Sequence, residues 1–183
     1  MRRIALTGII TLVISGMCMG QGKYLTDAGN IVFYSHAALE DITAENKEVA
    51  SVIDGATGEI AVILKMTAFQ FEKGLMQEHF NENYVESEKF PKATFRGSIL
   101  NNEDVDYTSA GVYQVEVQGK LTIHGITNKV YAEGTLEVHS EGIIAKTSFM
   151  LNPEDYGIKI PRVVRKNIAE NMEIRINLDH RPI

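Results

Sequence analysis

The sequence predicts an all-β protein: an eight-stranded antiparallel barrel with one short helix inserted mid-chain. Two observations carry most of this. Residues 111–138, GVYQVEVQGKLTIHGITNKVYAEGTLEV, hold two long alternating runs joined at His124-Gly125. Tyr113, Val115, Val117, Gly119, Leu121 and Ile123 share one face of the first run, and Val130, Ala132, Gly134, Leu136 and Val138 share one face of the second. A period of two is the signature of a strand with one wet face. A two-residue loop at His124-Gly125 pairs Ile123 with Ile126 and brings both apolar faces to the same side, so the register is self-consistent. Each run is about 13 residues, against the usual 5–6. The second observation is that further alternating runs recur along the chain, separated by short turns. An even number of such strands points to an up-and-down barrel, with a sandwich as the rival. A barrel of eight is just wide enough to hold one small ligand.

In chain order, residues 21–30 read as a polar lead-in and 31–36 (IVFYSH) as a short strand. Residues 37–47 are polar and acidic and read as a loop. Strands at 48–53 and 59–68 flank DGATG, a hairpin signal, with Ile60, Val62, Leu64 and Met66 on the inward face. The pattern breaks over 69–90. There Leu75, Met76, His79 and Phe80 recur at helical spacing, which predicts a helix over 74–81 with its apolar side toward the core. The strand at 93–100 places Phe95, Gly97 and Ile99 inward, and an acidic turn at 101–110 leads into the long hairpin. After a turn at 140–142, Ile143, Ala145, Thr147, Phe149 and Leu151 alternate with polar residues. Residues 153–171 are irregular, and Met172, Ile174, Ile176 and Leu178 mark the last strand. Gly119 and Gly134 put no side chain on the inward face; they either relieve crowding at a bend or leave space inside.

Residues 1–20 are expected to lie outside the fold. Arg2-Arg3, an apolar run over 4–14 and small residues over 15–20 have the order of a secretory signal peptide cleaved before Gln21. Cys18 raises the alternative of an acylated lipoprotein, although Met17 is bulky for that signal. Residues 21–183 then form one domain without cysteine. Removing Arg2 and Arg3 from the 18 basic residues leaves 16 against 24 acidic, a net charge of −8. That argues against a nucleic-acid or anionic-membrane partner. No later apolar run is long enough for a transmembrane span.

No catalytic motif is found. There is no G-x-S-x-G elbow, no phosphate loop and no dinucleotide fingerprint. His79 has Glu78, Glu82 and Glu86 nearby, with Glu82 at i+3, but two ligands do not complete a metal site. A hydrogen-bonded structural histidine is the expectation, with no metal, no cofactor and no catalytic residue. The basic run 162–166 (RVVRK) reads as a solvated loop, or as a seat for an anionic headgroup at the barrel mouth. Phe69, Phe71, Met76, Phe80 and Phe90 read as ordinary core or as the lining of such a mouth.

Four stretches together resemble one family. MQEHF at 76–80, followed by EKFPKATF at 88–95, is similar to a helix, loop and strand of the YceI-like family, although Met76-Gln77 replaces its arginine-aspartate pair. GKLTIHGITNKV at 119–130 resembles the family's G-x-L-T-x-x-G-V-T-x-x-V and is the most specific match. FMLNPEDYG at 149–157 and the closing strand 172–178 complete the likeness. The resemblance implies a lipocalin-like barrel, periplasmic or secreted, that holds a long apolar chain such as a polyisoprenoid, an isoprenoid quinone or a fatty-chain lipid. Alternation and this likeness together nominate Phe33, Met66, Phe95, Val117, Leu121 and Phe149 as ligand-binding, with Leu75, Met76 and Phe80 of the helix closing one end. The alternative is a packed barrel serving as an adaptor without a small-molecule ligand. A homodimer stays open in either case.

Overall fold

The long hairpin forms as its alternation requires. In the computed structural model, which describes residues 22–183, β6 (Gly111–Ile123) pairs with β7 (Ile126–His139) in unbroken register from Gly111 opposite Val138 to Ile123 opposite Ile126. His124 (φ 51°) and Gly125 (φ 76°) are both left-handed, the type I′ turn whose twist matches the strands it joins. The signal-peptide expectation falls outside the described residues.

The remaining strands are β1 (Lys23–His36), β2 (Asp41–Asp54), β3 (Glu59–Lys65), β4 (Gln70–Phe71), β5 (Lys92–Ile99), β8 (Gly142–Leu151) and β9 (Met172–Pro182). Neighbours in sequence pair antiparallel from β5 through β9, β9 pairs with β1, and β1 pairs with β2. β2 and β3 complete the circuit back to β5, so eight strands close into a barrel. The two-residue β4 resumes the track of β3 along β2 after the chain bends out at Met66–Ala68. The one α-helix among the described residues, α1 (Gly74–His79), widens into a π-helical turn at Phe80–Tyr84. In the orientation used below, β1, β3, β6 and β8 run upward. The lower end then carries only the turns at 55–58, 100–110 and 140–141, and the upper end carries the turns at 37–40 and 124–125 and the long segments 66–91 and 152–171.

The N-terminal third departs from the sequence expectation. From Lys23 onward the lead-in is strand, as is most of the loop 37–47; only 37–40 turns the chain. The reason is a double change of phase. Tyr24 and Thr26 face inward, then Gly29, Ile31, Phe33 and Ser35 do, because the register with β2 shifts around Gly29. On β2, Ala44 and Asn46 face inward, then Val49, Ser51 and Ile53. A bulge of this kind inverts which positions are wet. Several inward residues are also polar, and each is bonded. Asn46 donates to the Lys65 carbonyl and accepts from the Glu48 N–H, both at 2.9 Å. Ser35 Oγ accepts from the Ala169 N–H at 2.8 Å.

The lower half of the barrel is a packed core. Ile53, Ile99, Val115, Leu136, Val138 and Ile143 are buried there, and Tyr24 stacks on Tyr107 with ring centroids 5.7 Å apart. Burial pushes the Tyr107 phenol up to about 12; its hydroxyl donates to Asn102 Oδ1 at 2.8 Å. His180 is fully buried. Its Nδ1 lies 3.1 Å from the Leu178 carbonyl, which only accepts, so Nδ1 carries the proton and Nε2 accepts from the Ser51 hydroxyl at 2.9 Å.

Two outcomes follow. Burial lowers the His180 pKa below its ordinary value of 6.5. Above that value the ring is neutral folded and unfolded; below it, the unfolded chain takes a proton that the folded one refuses. Stability therefore falls as pH drops through 6.5, by up to about 1.4 kcal/mol per pH unit. Urea titrations of wild type and His180→Gln at pH 7.5 and 5.5 should show that the variant lacks this increment. Second, Gly125→Val meets both the positive φ and the Phe90 ring, 2.7 Å from its added Cβ. It should lower the urea-derived stability by at least about 1–3 kcal/mol.

Candidate functional site

The upper half of the barrel is hollow. Val117, Leu121, Ile123, Val130, Ala132, Phe149, Ile174 and Ile176 point inward, yet all are only half-buried, because a water-sized sphere reaches them from inside. The cavity is about 510 Å³, within the range of roughly 300–1,000 Å³ typical of ligand pockets. Its floor is Ile53, Ile60, Ile99, Val115 and Leu136 on the packed lower core. At the top it reaches Met76, His79, Val164, Asn167 and Ile168 of the two long segments.

Two devices keep the space open. Gly97 and Gly119 stand opposite each other on β5 and β6. A Cβ on either would meet the Phe95 ring, at 2.7 and 2.4 Å. The ring therefore lies flat along the wall over two bare backbones rather than across the lumen. Gly119 serves both roles considered from the sequence: it relieves crowding, and what it relieves is a ring that would otherwise fill the cavity. The second device is an aromatic cluster under the helix. Phe80 packs on Phe33, Phe69 and Phe71, with centroids 5.0–5.7 Å apart, and Phe33 contacts Phe69 and Phe71 at 5.5 and 5.7 Å. Each such pair contributes about 0.5–1.5 kcal/mol beyond area burial, so α1 is held against the barrel by its far end.

The upper segments are tied by polar contacts. Glu40 accepts from Lys73 Nζ at 2.8 Å and from Asn167 Nδ2 at 3.3 Å. Those bonds hold its carboxyl below the usual range, the Lys73 bond most. The Leu39 N–H donates to the Lys166 carbonyl at 2.9 Å. On the opposite side, β7 pairs with β8 only from Gly134 to His139, and above Gly134 the two strands part. The 3₁₀ turn Pro153–Tyr156 is bonded to β7 there: Asn128 Nδ2 donates to the Asp155 carbonyl at 2.8 Å, and His124 Nδ1 to the Tyr156 carbonyl at 3.1 Å. His124 Nε2 lies 2.7 Å from Glu86 Oε2, which ties the hairpin turn to the mid-chain segment.

Eight of the nine nominated residues line the cavity together: Phe33, Met66, Met76, Phe80, Phe95, Val117, Leu121 and Phe149. Leu75 corrects the expectation. It is 63% exposed and outside the lining, because the helix is one turn and a half long and only its Met76 and Phe80 side turns inward. Phe90 also stays out, stacked edge-on against His124 at 4.4 Å. The His79 ring makes no hydrogen bond to protein among the described residues; it is exposed at the top of the cavity, unlike the bonded side chain expected. No group of three metal-ligating side chains occurs among the described residues. Sequence reasoning missed Ile42, because it lies in the segment read as a loop, and Ile158 and Ile168, because no period marks the irregular segment around them.

A closed antiparallel barrel around an apolar hollow is the lipocalin-like architecture. The family model of the YceI-like domain matches residues 24–180, and the chain belongs to that family. Solved structures share its fold at low identity. A polyisoprenoid binding domain from Saccharophagus degradans, described as implicated in plant cell wall breakdown, is 13% identical with a TM-score of 0.76, covering 89% of this chain and 99% of that one. BcnA from Burkholderia cenocepacia is 14% identical with a TM-score of 0.68, over 81% and 94%. The Campylobacter jejuni YceI protein is 14% identical with a TM-score of 0.62, over 81% and 88%. No curated protein matches the sequence.

Gly119→Ala should destabilise the protein, because the new Cβ meets both the Phe95 ring and the Arg96 carbonyl. Combining it with Phe95→Leu should recover part of the loss. A double-mutant cycle on melting temperatures should give a coupling of at least about 0.5 kcal/mol.

Proposed function

We propose that this protein is an exported, non-enzymatic carrier that holds one long apolar chain, of the polyisoprenoid, isoprenoid quinone or fatty-lipid class, inside the barrel. The observation that carries the reading is the hollow itself: apolar inward residues of the upper half enclose about 510 Å³ instead of packing on one another. A packed adaptor barrel would have no use for such a space, which costs stability. The proposed ligand contacts are Phe33, Met66, Met76, Phe80, Phe95, Val117, Leu121 and Phe149. Each buried methylene contributes about 0.8 kcal/mol, so a dozen give roughly 10 kcal/mol gross, enough to offset much of the association cost. No proton transfer or nucleophile enters this function; shape and burial suffice.

The solved Saccharophagus degradans relative is described as polyisoprenoid-binding, which supports the ligand class. Location rests on the basic–apolar–small order of residues 1–20, which we read as an export signal leaving Gln21 as the mature N-terminus. No helix among the described residues is long and apolar enough to cross a membrane.

The test is displacement of an environment-sensitive fluorescent fatty chain by isoprenoid alcohols and quinones. Wild type should bind the probe and release it to these competitors. Leu121→Glu, which places an unpaired carboxylate against the apolar lumen, should abolish binding with native strand content retained by circular dichroism. Wild-type protein that binds no such probe overturns the carrier reading.

A further inference from the structure

One seam of the barrel wall is left open. β7 and β8 are paired only from Gly134–Thr147 downward. Above that fork β7 runs up to Ile126 and stays paired with β6, while β8 runs up to Leu151 and stays paired with β9. The two facing edges form no ladder with each other. A closed barrel otherwise removes such edges.

The fork is set by small details of sequence. Gly134 faces inward, and a Cβ there would collide with the Lys146 carbonyl and lie 3.0 Å from Thr147 Cβ. The missing side chain lets β8 approach β7 closely at this level, and the strands diverge above it. Thr147 Oγ1 donates to the Glu133 carbonyl at 2.6 Å, so a hydroxyl satisfies the first carbonyl beyond the ladder. The upper corner of the slit is fastened by the bonds of Asn128 and His124 to the turn Pro153–Tyr156. From Asn128 to Gly134 the slit follows β7 for roughly 20 Å, at about 3.3 Å per residue.

Both faces of the slit are apolar. Val130, Ala132 and Gly134 on one edge and Thr147, Phe149 and Leu151 on the other all line the hollow, which therefore reaches the slit along its length. On the outside, Tyr131 and Met150 fall opposite each other when the register of the fork is continued upward, and they are 48% and 62% exposed. The outward pair just below the slit is Thr135 with Lys146. Gly134, Thr135, Lys146 and Thr147 border both the hollow and a groove on the outer face, so inside and outside meet at the fork.

The top of the barrel is held more firmly. Phe80 packs on three other rings, Glu40 holds Lys73 and Asn167, and the Leu39 N–H is bonded to Lys166. Lifting the upper segments breaks these contacts together. Widening the slit breaks only the side-chain bonds at its two corners and leaves the β6–β7 and β8–β9 ladders intact.

We infer that the slit between β7 and β8 is the port through which an apolar chain enters and leaves the barrel, with Tyr131 and Met150 as its outer lips. The segments over the top stay in place while the chain passes sideways through the wall. The inference rests on the carrier reading above.

A port residue belongs to neither end state, so closing the port slows binding and release equally and leaves affinity unchanged. In a Cys18→Ser background the chain has no other thiol. Tyr131→Cys/Met150→Cys, joined by a short thiol cross-linker, should slow both uptake and release of the fluorescent fatty chain in stopped flow by at least about tenfold, with Kd within about twofold of wild type. Cleaving the cross-link should restore both rates. Asn128→Cys/Asp155→Cys, closed in the same way at the upper corner, should give the same result and serves if the first pair does not join. A Leu39→Cys/Lys166→Cys disulfide across the top should change neither rate by more than about twofold. Rates that ignore both slit cross-links, rates slowed as much by the top disulfide, or a cross-link that changes affinity at an unaltered uptake rate each overturn the port. Dye exchange that is indifferent to the slit loses this inference alone; wild-type protein that binds no dye loses the carrier reading and the port with it.

Discussion

Everything in this structure depends on β1 being paired on both sides. With β2 on one edge and β9 on the other, no strand of the barrel is left as an end, and an inside becomes distinct from an outside. Closure needs a bend, and the bend is local. Gly29 sits where a Cβ would lie 2.3 Å from Leu178 Cδ2, and the two strands shift register there together. Asn46 satisfies backbone groups that the bulge would otherwise strand. Near the foot of the barrel, the buried His180–Ser51 bond ties β9 to β2. These inward polar residues are as much a part of closure as the apolar ones, since a buried polar group left unpaired costs about 1–3 kcal/mol.

The same requirement explains what could be read from sequence. β6 and β7 keep one phase for their whole length, so their register and their turn were legible to the residue. β1 and β2 each change phase once and carry Thr26, Ser35, Asn46 and Ser51 on the inside. Neither the period nor the hydropathy survives that, and the strands were half lost. The candidate lining was legible wherever a strand kept its phase. On a helix of six residues, periodicity assigns a face too coarsely, and Leu75 fell on the wrong side of it. The segment 157–169 carries no period at all; its place against the cavity comes from contacts made with distant chain, such as Asn167 with Glu40.

The two ends differ in packing. The lower half is packed around Ile53, Leu136 and Ile143, each at most 2% exposed, with short turns and ion-paired cations. The upper half gives up packing over the volume of the hollow, and unfilled apolar space costs stability. The lower core and the continuous ladder of hydrogen bonds make that affordable. Folding energy is concentrated away from the hollow, and the long segments of the chain are confined to the hollow end.

The packed floor makes the barrel blind-ended. On the carrier reading, a chain that slides in against Ile99 and Val115 meets this floor, and the end that enters last stays toward the rim. Depth then acts as a gauge. Chains shorter than the hollow leave unfilled space and lose contact energy in proportion, while longer ones run out of wall and trail into the surroundings. On the carrier reading, a vessel closed at its floor ranks its guests by length without any residue that recognises an end group.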